Sequence, residues 1–390
     1  MVQLPYASGF FWTALTSRHE LLVTNTACWA LVAAIIPIFA IYFTIWKPSR
    51  LSRVKSSGIR TLASSSTMES SPIIKRSPPK PGVITVSKIL IHPIKSCKGL
   101  SVESVNYTHE GLENDRLWCV IDATKRTVIT ARESPKMVLI LPTVKSDGTL
   151  RVSFPNDSGC EPFSVPLNPD EEVMRTWESI PDLKLWSTPI DGYISEAISG
   201  PKGTASAILS KYFEKPVHLL FKGPEPRIVE PTAAFPDLAA TSKYQDMYPM
   251  LILSEESTIE VEKQLRGYVG TQGIEERWKS DSIVIERFRP NIVVKGGGPF
   301  AEDEWEEISI GDPGSAPRIT LVSKCTRCLL PNVDPATGEK DKAVPFKVLM
   351  KFRTGLDPKH KMKACVGCNA VPSGNGTLRV GDIVHVRKMI

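Results

Sequence analysis

Apolar and polar positions alternate in short runs from Val83 onward. VSKILIHPI (86–94), SVESVNY (101–107), RLWCVID (116–122), TVITA (127–131), KMVLILPTV (136–144) and TLRVSF (149–154) are rich in β-branched and aromatic residues. Clusters of Gly, Asn, Asp and Pro separate them, which predicts successive antiparallel strands of a barrel or sandwich. The rhythm changes over 191–221, where Thr204–Phe213 reads as a helix ahead of a strand, PVHLLF (216–221). Ser254 followed by Glu255 and Glu256 predicts a capped helix running to about Arg266. DSIVIE (281–286), NIVVK (291–295), RITLVSK (318–324) and DIVHVRK (382–388) read as strands again. The expected class is mainly β with α, an α+β chain.

The stretch before Val83 follows a different pattern. After a tail (1–26), Ala27–Trp46 is a run of twenty residues without a charge. That is the length a helix needs to cross a hydrocarbon core. Tyr42, Phe43 and Trp46 crowd its C-terminal end, as at a membrane interface. Arg18 alone lies nearby on one side, whereas Lys47, Arg50, Arg53, Lys55 and Arg60 follow on the other. The positive-inside rule then predicts a single transmembrane anchor with the C-terminal bulk in the cytosol. Residues 47–82 hold twelve Ser/Thr and five Pro with few large apolar side chains, and read as a disordered basic linker.

Composition sharpens this. The 390 residues allow two domains with proper cores. The net charge of +6 sits in the linker, which alone carries +7, so the rest is close to neutral. That argues against nucleic acid as a partner. Eight cysteines without a cleavable signal peptide suggest a reducing compartment, with free thiols or metal ligands.

Several polar constellations could carry chemistry. Lys95-Ser96-Cys97-Lys98-Gly99 follows a strand and can hold an anion through an ammonium, a hydroxyl and backbone N–H groups. Arg116, Arg132 and Arg289 stand at strand edges, where a guanidinium is either paired with an acid or free for phosphate or pterin edges. Cys325-Thr326-Arg327-Cys328 precedes a turn, Asp334-Pro335-Ala336-Thr337-Gly338, that fixes two thiols at the mouth of a loop. With Cys365 and Cys368 these thiols also spell CxxC…CxxC, the usual ligand set of structural zinc. There is no HExxH, no phosphate-binding P-loop and no GxSxG elbow.

Taken in order, HPIKSCKG, DRLW, TAR, RFRPNIVV, AEDEW, CTRC with VDPATG, and the closing GTLRVGDIVHV resemble the MOSC family. With the N-terminal anchor, the likeness is to its mitochondrial amidoxime reducing components. The resemblance covers about 83–387 and implies a MOSC N-terminal β-barrel domain (83–221) followed by a MOSC domain (222–390). It also implies a molybdenum–molybdopterin cofactor. By motif position Cys328 is the metal's protein ligand and the catalytic thiolate. Lys95, Ser96, Arg116, Arg289 and Asn291 match cofactor-holding positions, Asp246, Met247 and Tyr248 fall at a further cofactor turn with residue types that match less well, and Thr326 and Arg327 flank the metal. The implied reaction is reduction of small N-hydroxylated substrates (amidoximes, hydroxylamines, or nitrite). The implied electron donors are cytochrome b5 and NADH-cytochrome b5 reductase, and the implied place is the mitochondrial outer membrane or endoplasmic reticulum. The alternative is a non-catalytic cofactor carrier or sulfur-transfer adaptor, with the two CxxC pairs as a zinc site. Two departures stand out: Pro331-Asn332 replaces two threonines, and Cys365/Cys368 replace an apolar segment.

Overall fold

The computed structural model describes residues 82–186, 188–195 and 204–390. The anchor and most of the linker read from the sequence lie outside them. Among the described residues no helix is long and apolar enough to cross a membrane.

An eight-stranded sheet organises the fold. Its order runs Leu100–Val102, Thr85–Ile91, Ile292–Lys295, Met250–Ser254, Cys365–Pro372, Arg318–Thr326, Trp305–Ile310 and Val384–Met389. Only Met250–Ser254 and Ile292–Lys295 pair in parallel; the other neighbours are antiparallel. The last strand curls back to the first. Val86 N–H donates to Asp382 O at 2.9 Å, and Val384 N–H donates to Ile84 O at 2.9 Å. The sheet wraps a core that includes Ile89, Tyr107, Ile252, Ile292, Trp305 and Leu321. Cys365–Cys368 and Met250–Ser254 are buried throughout, as expected of strands covered on both faces.

A second, closed barrel is formed by Glu178–Leu185, Thr188–Ile194, Val217–Lys222, Trp118–Asp122 and Thr127–Val128. Alternation decides its faces. Cys119, Ile121 and Leu220 point into the barrel core with Leu183 and Tyr244. Trp118, Val120 and Leu219 join an outer core with Met137, Phe163, Leu209 and Tyr212. The helix Ala205–Phe213, capped by Thr204, whose hydroxyl accepts Ala207 N–H, supplies part of that outer core. The helix Glu255–Arg266 starts where the sequence places it. Ser254 Oγ accepts Ser257 N–H at 3.1 Å, and Val261 and Leu265 pack with Trp278 and Phe288.

Other expectations need correction. DSIVIE is not a strand: the chain is extended only to Val284 and then makes a 3₁₀ turn, Ile285–Phe288, ending in left-handed Arg289. Ile283 N–H is held by the Glu262 carboxylate rather than by a strand partner. KMVLILPTV divides into a 3₁₀ turn (Pro135–Leu139) and a short strand (Leu141–Val144), because Met137 and Val138 are drawn into the outer core. Residues 191–194 continue a strand instead of leading into helix.

Candidate active site

The residues singled out from the sequence come from five separate segments and meet in one open cleft. Lys95, Ser96, Arg116, Asp246, Met247, Tyr248, Arg289, Asn291, Thr326, Arg327 and Cys328 all line it. Arg132 does not; its guanidinium stacks 3.9 Å over the Trp186 ring.

The loop after strand Thr85–Ile91 delivers Lys95 and Ser96. Lys95 is buried, and its ammonium donates to Tyr244 O at 2.8 Å and pairs with the Asp246 carboxylate. Desolvation lowers the Lys95 pKa, with Asp246 opposing it. For Asp246, whose side chain is more than half exposed, desolvation within the cleft acts upward, but the Lys95 charge outweighs it and holds the carboxyl well below its usual range. Arg227, which carried no signal in the sequence, shapes this turn. Its Nη1 donates to Ser242 Oγ, Lys243 O and Gln245 O at 2.9, 3.1 and 2.7 Å, and its Nη2 donates to Asp246 O at 3.1 Å.

Arg116 enters just before strand Trp118–Asp122. Its Nη1 donates to both oxygens of buried Asp115 (2.8 and 2.7 Å) and to Asn291 Oδ1 at 3.2 Å. Burial acts to raise the Asp115 pKa, but Arg116 and His92 overcome it and hold the acid ionised. Asn291 is 1% exposed. Its Oδ1 also accepts Leu251 N–H, and its Nδ2 donates to Leu90 O, so its amide ties three strands together beneath the cleft.

The thiol motif closes the opposite side. Cys325 and Thr326 end the strand Arg318–Thr326. Arg327 Nε donates to Val366 O and its Nη1 to Phe288 O, both at 3.0 Å. Cys328 is half-buried, and Leu330 N–H points at its sulfur at 3.5 Å. The loop beyond is locked by Arg287, which donates to Pro331 O and Asn332 O and pairs with Asp334. Asp334 in turn accepts Ala336 N–H at 2.7 Å, as an Asx turn should. Arg287, Gln245, Leu251 and Asn369 also line the cleft and were not picked out from the sequence.

The charge pattern is uneven. Lys95, Arg116 and Arg287 each have an acid: Asp246, Asp115 and Asp334. Among the described residues Arg289 and Arg327 form no ion pair. Arg289 Nη1 donates to Cys97 O at 2.7 Å, but the Nη2 of each guanidinium is buried without a partner. Burial, then the neighbouring Arg116 charge, pulls the Arg289 pKa down to about 10. Ser96, Arg116 and Arg289 also hold left-handed backbone, at φ 67°, 52° and 55°. Such conformations in non-glycine residues concentrate at sites of function.

The four CxxC cysteines do not form a metal cage. Cys328 opens on this cleft, whereas Cys368 Sγ donates to Glu302 O at 3.2 Å and faces a different cavity. Among the described residues no three Cys, His, Asp or Glu side chains are gathered as a metal set. The zinc alternative finds no support in this geometry, because Cys325 and Cys328 line one cavity and Cys368 another.

The chain shows a two-part MOSC protein: residues 83–216 match the MOSC N-terminal beta barrel domain and residues 240–385 match the MOSC domain. It is 32% identical over 311 residues to mitochondrial amidoxime-reducing component 1 of Mus musculus, covering 77% of this chain and 82% of that protein. The Homo sapiens protein of the same name is 31% identical over 314 residues, with coverage of 77% and 82%. The chain therefore belongs to the family of the mitochondrial amidoxime-reducing components. Molybdenum cofactor sulfurase of Danio rerio is 27% identical over 276 residues, which are 70% of this chain and 31% of that protein.

Proposed function

We propose that the chain is a membrane-anchored molybdenum-cofactor oxidoreductase. It reduces N-hydroxylated compounds (amidoximes, hydroxylamines or nitrite) with electrons from cytochrome b5, itself recharged by NADH-cytochrome b5 reductase. The observation that carries this reading is a thiol and two anion-seeking guanidiniums in one cleft: Cys328 with the unpartnered Nη2 atoms of Arg289 and Arg327. A buried donor without an acceptor costs about 1–3 kcal/mol. A phosphate-bearing group would satisfy both donors, and a thiolate is a soft metal ligand. The residues therefore fit the group.

When bound, the cofactor supplies a two-electron redox centre for R–NHOH + 2 e⁻ + 2 H⁺ → R–NH₂ + H₂O. Cys328 holds the metal. Arg289 and Arg327 donate to the cofactor's anionic end. Asp246 and Asp115 hold Lys95 and Arg116 in fixed positions around it, and Asn291 keeps the floor of the cleft rigid. The 27–46 segment tethers the enzyme with its catalytic part in the cytosol, at the outer mitochondrial membrane or endoplasmic reticulum, where a membrane-bound donor can reach it.

The test is metal content of the purified chain, followed by benzamidoxime turnover with reconstituted cytochrome b5 and its reductase. One molybdenum per chain and activity lost in Cys328→Ala but kept in Cys325→Ala is expected. Zinc in place of molybdenum, or full activity in Cys328→Ala, would overturn the assignment; molybdenum without turnover would favour the carrier or sulfur-transfer alternative.

A further inference from the structure

A second cavity, of about 610 Å³, adjoins the cleft and shares Met247 and Tyr248 with it. That volume lies in the range of small-molecule sites. Phe235, Leu321, Val322 and Leu356 give it apolar walls, and the Tyr248 hydroxyl is pinned to Glu230 O at 2.9 Å.

Its charges are unbalanced. Lys359 pairs with Glu230 and Lys388 with Glu306. The Lys324 ammonium is taken by Asp303 O, and the Asp303 carboxylate by Arg353. Every lysine on the wall is thus engaged. Asp357 and the exposed Glu304 form no ion pair among the described residues; of the two, Asp357 is only 8% exposed, and the Lys359 charge that reaches it is committed to Glu230. Asp357 Oδ1 accepts His360 N–H at 2.7 Å, while Oδ2 has no partner and is not sealed from the cavity. The carboxylate lies close enough to Tyr248 that, after burial and with Glu230, it helps push that phenol up to about 12.

A nearly buried carboxylate with one open oxygen, set among apolar walls, calls for a cationic N–H donor carried on an apolar body, and a planar amidinium or guanidinium supplies one. We propose that this cavity recognises a small molecule with an apolar body and an amidinium or guanidinium end, the cation resting on Asp357. On the function proposed above, which this part of the inference requires, the cavity receives the body of the N-hydroxylated substrate. Met247 and Tyr248 are then the shared wall between the body and the Cys328 cleft.

The test is calorimetric binding of benzamidinium to the purified full chain, wild type and Asp357→Asn. Asparagine keeps the acceptor for His360 N–H, so the turn is retained, and melting temperature checks it. Saturable binding is expected, at least tenfold weaker in Asp357→Asn. Ala234→Trp, at an exposed position on the rim, blocks the mouth and should abolish binding without unfolding the chain. No saturable binding to wild type, or equal binding by Asp357→Asn, overturns the proposal. In turnover, a benzamidoxime bearing a second, para amidinium should show a lower KM than the neutral parent. That advantage should vanish in Asp357→Asn; an advantage that persists overturns the substrate role. Binding needs no metal, so a chain that binds benzamidinium through Asp357 yet reduces no amidoxime refutes the reductase reading and substrate role while confirming the pocket's cation recognition.

Discussion

The Asp115–Arg116 pair allows a prediction with a magnitude. Asp115 is fully buried and Arg116 nearly so, and two short hydrogen bonds join them. In Asp115→Asn the amide oxygen can still accept His92 N–H, but an amide N–H₂ then faces Arg116 Nη1, donor against donor. Arg116 becomes an unpaired cation beside the like charge of Arg289, to whose carbonyl its Nη2 also donates at 3.3 Å. Breaking a buried pair from one side costs about 3–5 kcal/mol. A folded unit of this size has an unfolding entropy of about 0.7 kcal/mol per kelvin, so the melting temperature should fall by about 5–8 °C. The double variant Asp115→Asn/Arg116→Met removes the stranded charge and should recover more than half of the loss. Because the folded acid is held below its unfolded value, its stabilisation is fully present above about pH 4. It is lost only as pH falls through the folded value, so the gap between wild type and variant should be constant from pH 5 to 8 and narrow in strong acid. A drop under about 2 °C at neutral pH, or a double variant no better than the single, would show that the pair does not carry the turn.

Arg289→Met removes one of the two unpartnered guanidiniums; on the proposed function, molybdenum retained per purified chain should fall at least tenfold, as read by elemental analysis. Burial and Asp303 raise the Glu302 carboxyl to about 7, far above the unfolded value of about 4.3. Stability is therefore full below pH 4 and lost as pH rises through 7, so Glu302→Gln should gain on wild type by about 3 kcal/mol between pH 4 and pH 8 in thermal melts. Gly367 holds φ 73°, and a Cβ there would sit 2.7 Å from Ile252 O. Gly367→Ala should lose about 2–4 kcal/mol in denaturant titration.

What the sequence made legible follows from locality. The apolar, β-branched runs over 86–91 and 118–121 report buried strands, and Ser254 with two following acids reports a helix start, because both signals are complete within a few residues. The cleft residues were readable as unusual donors at strand edges, though which of them meet was visible only through the family resemblance. Arg227 was unreadable. Nothing in its own segment indicates that four acceptors between Ser242 and Asp246 would close around it. The hairpin Glu178–Leu185 with Thr188–Ile194 was missed because Pro181, Pro189 and Gly192 interrupt the pattern. Gly192 is needed there, since a Cβ would lie 2.6 Å from the Tyr244 hydroxyl. The zinc spacing misled for the complementary reason: Cys-x-x-Cys fixes sequence separation, whereas which cavity each thiol meets is set by tertiary packing, which puts Cys328 and Cys368 on different cavities.

Charge placement resolves an apparent conflict between composition and site. Outside the basic linker the chain is nearly neutral, which argues against a polyanion partner. Yet Lys95, Arg116, Arg287, Arg289 and Arg327 converge on a single cleft. A diffuse basic surface would attract any polyanion, with affinity falling steeply in salt. Here three cations are paired with acids, of which Asp115 is fully buried, and two are left with an open N–H, so the unpaired excess is confined to this cleft. The strained backbone lies in the same place, with Ser96, Arg116 and Arg289 all left-handed on the cleft wall. At about 1–3 kcal/mol each, such conformations persist only where the surrounding fold over-determines them. Asn291 and Asp115 do so here, by tying strands and guanidinium together from beneath. The fold thus fixes the cleft's geometry, and on the proposed function its two unpartnered guanidiniums select the ligand's charge rather than its position.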